Sequence, residues 1–397
     1  MNEQFSDDII VNILSFLPHK EVARMRVVCK RWHALTSEHH FLCTSFSRNT
    51  TGHSIAGFFL SDHLYSKFSY VPLGQSIAGN SSHQTTVPDL SFIPTTPAVD
   101  RDQIYVTASC NGLLVCGRPN TSVVYKSTWY VCNPLTKKFI EIAVPEGITH
   151  FLYLAYDPSK SQHYKIMALG NYDIHVYSSQ TRSWRVALHF DESEYPLRGL
   201  HCYHSVFWNG SLVWVVQNHL VRYVVDEDEH QAVQMMPMPQ TPEGWMCAYV
   251  GESGGHLQMV GFTEDERLAG VMDVLEMQEG SSEWSTLYRV DLRRVVELYP
   301  SIRRTEREYP YIGLRYGFGR GRMIERLALW PMHVVRGSGE RGRGGMMLFS
   351  IPGKIMCYHT DSRKFSIVYG KPVAPEPGTY QFHWYHFSPY SPSLFAV

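Results

Sequence analysis

The chain has 397 residues, enough to bury a large core and to form two or three domains, or one repeat domain with an attachment. Its 36 basic and 37 acidic side chains nearly cancel, so no overall positive field favours nucleic acid as a partner. Aromatic residues are frequent at 13% and charged residues scarce at 18%, a balance typical of a β-rich protein with short strands and tight turns.

The cysteines and the opening residues bear on the cellular compartment. The eight cysteines are scattered without a Cys-x-x-Cys pair, which argues against a zinc site or a disulfide framework and favours a reducing environment. The opening MNEQFSDD is acidic where a secretory signal needs positive charge, and no apolar run reaches the roughly 20 residues that span a bilayer. We therefore expect a soluble protein of the cytoplasm, the nucleus or both, without a membrane partner.

The first predicted element is an amphipathic helix that begins after Ser6 and is stopped by Pro18. Two aspartates place negative charge in its first turn, and five aliphatic side chains recur with helical spacing. Shorter helices fit residues 21–26 and 28–37. A bundle of about 40 residues is near the limit at which a core holds itself together, so we expect a partner to cover part of its apolar surface.

The run FSDDIIVNILSFLPHKEVARMRVVCKRWHALTSEHHF resembles an F-box, in which a helix ending in Leu-Pro precedes an Arg-x-Val-Cys-Lys-x-Trp segment. The resemblance covers roughly residues 4–44 and departs at Phe5-Ser6, where the motif opens with Leu-Pro. It implies binding to a Skp-type adaptor and, through that adaptor, to the cullin and RING protein of a ubiquitin ligase. The residues expected in the bundle core and the adaptor face are Phe5, Ile9, Ile13, Leu14, Leu17, Pro18, Val27, Val28, Cys29 and Trp32.

The basic amphipathic segment at residues 21–37 has other interpretations. Four basic side chains among apolar ones also suit a calmodulin target, a membrane anchor or a DNA-binding helix. Within residues 1–40, however, five acids balance five bases, so positive charge is segregated rather than dominant. Trp32 has a purely structural interpretation as well, as a filler of the bundle core that the adaptor touches only at its edge.

From about residue 45 the helical pattern disappears. A segment IAGFFLSD and a stretch rich in Ser, Thr, Pro and Gly predict first strands and a long polar loop. Further on, four octapeptides share an apolar or aromatic start, a Thr or Ser at the fifth place and a Phe or Trp at the eighth: CNPLTKKF, YSSQTRSW, MQEGSSEW and YHTDSRKF. We expect each to form a hairpin whose fifth-place hydroxyl bonds the backbone and whose aromatic returns to the core.

A second pattern places a Gly-containing turn before a largely apolar strand, in CNGLLVC, WNGSLVW, GGHLQMV and PGKIMCY. The frame aromatics at 139, 184 and 284 give a period of about 45–50 residues, typical of four-stranded propeller blades. The runs SCNGLLVC, VCNPLTKKFIEI and VLEMQEGSSEWSTLYRVDL resemble the F-box-associated, kelch-like domain of plant F-box proteins.

The predicted architecture is therefore α+β and multidomain. A small helical F-box occupies residues 1–44, and residues 45–100 form a linker with first strands and a long polar loop. An all-β, kelch-like propeller of six or seven blades follows over residues 101–397.

No site of chemistry is indicated. The pairs His201/His204 and His383/His386 have metal-like spacing, but residues three apart on a strand point to opposite faces, which favours core or surface roles. GFGRGRM lacks the setting of a dinucleotide site, and RGSGERGRGG is interpreted as a flexible, solvated blade loop rather than an RNA-binding segment. The Ser-rich turns lack a GxSxG elbow, so we expect no catalytic residue, no metal and no cofactor.

The predicted function is that of a non-catalytic substrate receptor in an SCF-type ubiquitin ligase, with propeller loops that hold a target protein. Candidate target-binding aromatics are Trp245, Trp330 and Trp384, each with a core role as the alternative. Two other functions remain open: an adaptor-binding scaffold outside ubiquitin transfer, and a propeller lectin or enzyme whose helices are incidental. The sequence does not indicate the target.

Overall fold

Two compact units divide the chain. The computed structural model describes residues 5–50, 55–61, 68–73, 87–94, 104–119, 127–145, 148, 152–170, 172–189, 205–216, 219–225, 232–278, 280–308, 322–370 and 386–397. The first unit takes in Met1–His189 and Tyr385–Val397, and the second takes in Phe190–Trp384. No helix in the described ranges is both long and apolar enough to cross a membrane.

Four helices open the first unit: α1 (Asp7–Ser15), α2 (His19–Met25), α3 (Lys30–Leu35) and α4 (His39–Thr50). The three predicted helices are confirmed with bounds shifted by a few residues, whereas α4 was not predicted. Its inward face includes Phe41 but also the fully buried Ser45, so the apolar repeat that marks a buried helix is broken there.

The Leu-Pro pair of the first helix separates α1 from α2. Helix α1 ends at Ser15, one residue before the C-cap Phe16, and Pro18 occupies the N-cap position of α2. Because proline has no N–H to donate, it is well tolerated where a helix starts. The same residue that was predicted to stop one helix therefore also starts the next.

Three antiparallel sheets complete the first unit. Two of them run in chain order, with a largely buried first strand and a more exposed fourth strand, which is the pattern of a propeller blade. Their strands are β3 (Tyr105–Cys110), β4 (Leu113–Pro119), β5 (Ser127–Asn133) and β6 (Lys138–Ile142), then β7 (Leu152–Ala155), β8 (Lys165–Leu169), β9 (Asp173–Ser178) and β10 (Ser183–His189).

The third sheet of this unit joins segments from distant parts of the sequence. Its order is β2-β1-β25, with β1 at Gly57–Ser61, β2 at Ser69–Pro72 and β25 at His386–Tyr390. Strand β1 pairs antiparallel with both neighbours. The buried ring of Phe59 lies 5.2 Å from Phe68, 5.1 Å from Tyr70 and 5.4 Å from Tyr390, so aromatic packing ties all three strands together.

The second unit holds three further four-stranded antiparallel sheets of the same blade pattern and one two-stranded sheet. The four-stranded sheets are β11 (Val206–Trp208), β12 (Ser211–Val216), β13 (His219–Val224) and β14 (Val233–Met236); β15 (Met246–Ser253), β16 (His256–Phe262), β17 (Val271–Gln278) and β18 (Ser285–Asp291); and β21 (Trp330–Val335), β22 (Met346–Ile351), β23 (Lys354–His359) and β24 (Lys364–Gly370). The predicted fold class, a helical F-box followed by a β-propeller, is confirmed: among the described residues, five four-stranded sheets and the three-stranded β2-β1-β25 sheet make six blades.

Additional elements of the second unit interrupt the blade repeat. Helix α5 (Glu264–Ala269) starts with a capping box between Thr263 and Glu266, and helix α6 is Arg293–Leu298. Strands β19 (Arg303–Glu308) and β20 (Arg322–Leu327) form a separate hairpin. This hairpin falls where the octapeptide pattern lapses.

The Gly-containing turns behave as predicted. Asn111 and Gly112 both have positive φ, as do Asn209 and Gly210, which is the backbone of a type I′ turn that matches the twist of a hairpin. Asparagine and glycine adopt this left-handed conformation at the lowest cost. Each Asn-Gly pair therefore forms the turn that precedes a strand, because both of its residues readily adopt positive φ.

The octapeptides also form hairpin turns, but the prediction for the fifth-place hydroxyl holds only in part and that for the eighth-place aromatic is wrong. The fifth-place hydroxyl bonds the backbone at Ser281, which accepts from Glu283 N at 3.0 Å, whereas Thr181 bonds the Ser183 hydroxyl. The eighth-place aromatics lie on or beside the outermost strands rather than in the core. The two tryptophans among them join neighbouring sheets: Trp184 Nε1 donates to Ala143 O at 2.7 Å, and Trp284 Nε1 donates to Pro237 O at 2.8 Å.

Replacing Trp184 by Phe tests this sheet-to-sheet bond. The variant keeps a six-membered aromatic ring but loses the five-membered ring of the indole with its N–H, so the free energy of unfolding should fall by at least about 1 kcal/mol in a urea titration followed by circular dichroism. Val186→Ala, at an exposed position on the same strand, is the control and should change it by less than about 0.5 kcal/mol. An unchanged midpoint for Trp184→Phe would show that the bond contributes nothing.

Candidate functional site

Helix α1 presents two different apolar faces. Ile10 and Leu14, four residues apart, are buried in the bundle core. Ile9, Ile13 and Phe16 recur at the same helical spacing but face outward, with Ile13 55% exposed and Phe16 65% exposed. A helix that is apolar on more than one side has more apolar surface than its own bundle covers.

The junction between α2 and α3 continues this exposure. Val27 is 87% exposed and Val28 is also exposed, although both are aliphatic. The junction is held in place by Arg26, whose Nη2 donates to Thr36 O at 2.5 Å and whose Nε donates to Thr36 Oγ1 at 3.3 Å. The two valines are therefore displayed on a fixed turn rather than on a frayed helix end.

A polar bridge brings the start of α1 to α3. Arg31 Nε donates to Asp7 Oδ1 at 2.7 Å, and Arg31 Nη2 donates to Phe5 O at 2.8 Å. The backbone of Phe5, whose side chain is 67% exposed, is thereby bonded to α3, the helix that follows the two valines. We call the exposed residues Phe5, Ile9, Ile13, Phe16, Val27 and Val28 the apolar face.

The structure sorts the ten residues predicted for the core and the adaptor face. Seven are exposed: Phe5, Ile9, Ile13, Pro18, Val27, Val28 and Cys29. Leu14 is buried, and the half-buried Leu17 and Trp32 pack against the helical core. Phe16 was missed, although its position seven residues after Ile9 was the available signal. Its ring is covered on one side by the Arg48 guanidinium, 4.1 Å from the centroid.

The basic side chains of residues 21–37 are largely engaged within the bundle. Arg24 pairs with Glu21 at 2.8 Å, Arg26 bonds Thr36, and Arg31 bonds Asp7. A DNA-binding or membrane-binding helix needs its cations free to meet phosphates. Arg26 and Arg31 instead link different elements of the bundle, and Arg24 pairs within α2.

His19, at the start of α2, is a buried ionisable side chain of the bundle. Burial holds the pKa of His19 below its ordinary value, although hydrogen bonds to the backbone of Pro392 and Ser45 act in the opposite direction. The unfolded chain therefore takes up this proton more readily than the folded one. Stability is fully present above the ordinary histidine pKa of about 6.5 and falls as the pH drops below it.

We therefore expect a lower unfolding temperature at pH 5.5 than at pH 7.5, and a smaller difference between the two pH values in His19→Gln. Circular dichroism at the helical minimum measures both. His40→Gln, at an exposed position of α4, is the control and should keep the wild-type pH dependence. Equal pH dependence in wild type and His19→Gln would contradict the assignment.

The tryptophans predicted to bind a target have different environments. Trp245 is 5% exposed and belongs to a core cluster with Trp208 and Leu257, so its prediction as a surface aromatic is wrong and the core alternative is correct. Trp330, the first residue of β21, is 36% exposed. Trp384 lies outside the described residues.

The glycine-rich loop RGSGERGRGG packs against β18. The Tyr288 hydroxyl donates to Gly342 O and accepts from Gly337 N at 3.3 Å. A Cβ on Gly345 would lie 2.0 Å from Tyr288 Oη. Glycine is thus needed for close approach to this ring, and the expectation of a loop without fixed contacts is corrected.

The metal-like histidine pairs gain no support from the described part of the chain. Of the four residues, His386 alone is described, and it lies in β25. No group of three metal-ligating side chains occurs within the described ranges. The motif GFGRGRM lies almost entirely outside them.

A small helical bundle with an apolar face, held in one compact unit with blade-type sheets, defines a protein-docking module.

Comparison with known protein families gives two matches. Residues 3–44 match the F-box domain, and residues 66–243 match the F-box associated beta propeller domain. F-box protein At5g07610 of Arabidopsis thaliana is 30% identical over 325 residues, covering 76% of this chain and 73% of the relative. F-box protein At5g49610 of the same plant is 26% identical, covering 75% and 82%.

The chain belongs to the F-box proteins that carry an F-box-associated β-propeller domain. Both predicted resemblances are confirmed, and the relatives are plant proteins. F-box proteins are in general non-catalytic, and an F-box implies binding to a Skp-type adaptor.

Proposed function

We propose that this protein is the substrate-recognition subunit of an SCF-type cullin-RING ubiquitin ligase. The apolar face carries the proposal: six large apolar side chains are exposed on two elements of one small bundle. Water-exposed apolar surface of this kind marks a protein-interaction site. A Skp-type adaptor covers it and links the chain to the cullin and the RING protein.

The proposed mechanism is proximity rather than bond-making. The F-box fixes the receptor on the adaptor while the propeller holds a target protein, which raises the local concentration of target lysines near activated ubiquitin. No catalytic group and no cofactor is assigned to the chain. Trp330 remains the exposed candidate for contact with the target among the described tryptophans. We place the protein in the cytosol, the nucleus or both.

Reconstitution tests the proposal. The purified chain is mixed with a Skp-type adaptor, a cullin and a RING protein, and complex formation is followed by size-exclusion chromatography with light scattering. Ubiquitin, its activating enzyme and a conjugating enzyme are then added, and ubiquitin transfer to the receptor itself is followed by mass spectrometry. We expect one stable assembly with the adaptor and cullin, and transfer that depends on the receptor.

A pair of point variants provides the control. Val28→Asp changes the apolar face and should remove the chain from the assembly, whereas Val186→Asp, at an exposed position of β10, should leave it in place. Binding of the adaptor without the cullin would favour the alternative of a scaffold outside ubiquitin transfer. Failure of the wild-type chain to bind any Skp-type adaptor would overturn the proposal and leave the lectin or enzyme alternative.

A further inference from the structure

The helical core of the F-box contains a residue from the other end of the sequence. Leu394 is buried in the same cluster as Ile10, Leu14 and Val22, and the half-buried Leu135 of the β5–β6 turn packs against that cluster. The bundle is therefore completed by side chains of the 391–397 segment and of a propeller turn. We call residues 391–397 the clasp segment.

The next residue of the clasp segment links α4 to a blade. The buried ring of Phe395 lies 5.2 Å from Phe46 on α4 and 5.5 Å from Tyr156, the residue that follows β7, with edge-to-face geometry on both sides. A direct contact runs in parallel, since Cys43 Sγ of α4 donates to Pro158 O at 3.1 Å. Helix α4 is thus joined to the β7 sheet through three aromatic rings and one hydrogen bond.

The backbone of the clasp segment is held by Asn133. This fully buried side chain donates from Nδ2 to Ser393 O at 3.0 Å and to Phe395 O at 2.8 Å. Its Oδ1 accepts from Leu135 N at 2.9 Å, so the same amide also shapes the β5–β6 turn. Every hydrogen-bonding atom of a buried amide is used, an arrangement that specifies position as well as stability.

The other sequence motif of this domain makes room for the same segment. Gly112 has a φ of +86°, and a Cβ there would lie 2.1 Å from Ser393 Oγ. Its neighbour Asn111 donates from Nδ2 to Tyr156 O at 2.7 Å and so positions the ring against which Phe395 packs. The Asn-Gly motif at residues 111–112 and the Asn-Pro motif at residues 133–134 were predicted only as turns. In the structure both lie against the clasp segment.

We infer that the clasp segment sets the position of the F-box relative to the first blades, so that the adaptor-binding face and the propeller sheets of the first unit move as one body. The rigidity itself does not depend on the proposed function, but its functional advantage rests on it. A fixed geometry keeps a bound target protein close to the activated ubiquitin, whereas a free hinge would lower the effective concentration of the target there. Leu394 and Asn133 are positioning residues in this scheme.

The test measures position directly. Spin labels are attached through genetically encoded ketone side chains at Asp8 on α1 and Gln180 in the β9–β10 turn of the full chain, both exposed positions. Pulsed electron–electron double resonance then gives the distribution of distances between the two spin labels. The wild-type chain should give one narrow distribution, with or without the adaptor. Leu394→Asp places a charge in the helical core and should at least double the width.

Matched variants keep the test decisive. Ala396→Asp adds the same charge at an exposed position of the same segment and should stay narrow, as should the conservative Leu394→Met. Asn133→Asp keeps an oxygen that accepts from Leu135 N, but it replaces the Nδ2 donor with a carboxylate oxygen that faces the carbonyls of Ser393 and Phe395. This variant should also broaden the distance distribution. Amide hydrogen exchange of β8 serves as the check that the sheets remain folded.

The outcomes separate this inference from the proposed function. If Leu394→Asp proves too unstable to purify, Asn133→Asp and Leu394→Ala carry the same expectation of a broader distribution. A narrow distribution in folded Leu394→Asp and Asn133→Asp overturns the inference even if the adaptor binds. A broadened distribution supports it even if no Skp-type adaptor binds the wild-type chain, because the distance is read on the chain alone.

Discussion

The double variant Ile9→Asp, Ile13→Asp is expected to bind a Skp-type adaptor at least about 100-fold more weakly than the wild type, or about 2.7 kcal/mol, in an isothermal titration. Both side chains are exposed on the apolar face of α1, so docking would place two carboxylates in an apolar contact. The free energy of unfolding should change by less than about 1 kcal/mol, since neither side chain belongs to the core.

Asn12→Asp is the matched control for this loss. It adds the same charge to the same helix but at a position bonded to Arg48, whose Nη1 donates to Asn12 Oδ1 at 3.0 Å and whose guanidinium borders the apolar face at Phe16. Its adaptor affinity should stay within about threefold of the wild-type value, less than 1 kcal/mol. Equal loss in the control and the double variant would show that charge on α1, rather than the apolar face, governs binding.

Phe59→Ala is expected to lower the free energy of unfolding by about 3–5 kcal/mol, the cost of removing a fully buried aromatic ring. The ring sits among Phe68, Tyr70 and Tyr390, so the cavity would open between all three strands of the β2-β1-β25 sheet. Guanidinium denaturation followed by intrinsic tryptophan fluorescence measures the change.

The control for Phe59→Ala is Phe5→Ala, which removes the same ring from an exposed position. It should change the free energy of unfolding by less than about 0.5 kcal/mol. A loss below about 1 kcal/mol for Phe59→Ala would mean that the sheet collapses around the cavity, and that the joined strands contribute little to stability.

Local sequence signals predicted the local structure well. The apolar repeat of α1, the proline before α2 and the Asn-Gly turns each depend on neighbouring residues, and each was found where expected. The octapeptides carried a further local signal that was overlooked. Lys137, Arg182 and Arg363, all at the sixth place, have φ between 53° and 55°, so the turn depends on a left-handed residue rather than on the Thr or Ser before it.

Long-range contacts were the part that sequence patterns did not predict. Asn133 and Phe395 are 262 residues apart, and no periodicity joins them. Helix α4 escaped prediction because its buried side includes Ser45 and because its partner surface comes from the clasp segment. Trp245 and Trp330 are both tryptophans beside predicted turns, so the sequence gives no reason to expect different burial. Their burial differs because it depends on packing against distant segments, which local sequence patterns do not report.

The pairing of β1 with β25 has a consequence for biosynthesis. Chains leave the ribosome from the N-terminal side, so the helices and β1 emerge long before residues 386–397 are translated. Until then, Ile10 and Leu14 lack the contact with Leu394, and Phe59 lacks the contact with Tyr390. A chain that lacks residues 386–397, because of a premature stop codon or proteolysis, would expose those side chains. We expect chaperones and proteases to remove such a chain before it can compete with the full-length protein for the adaptor.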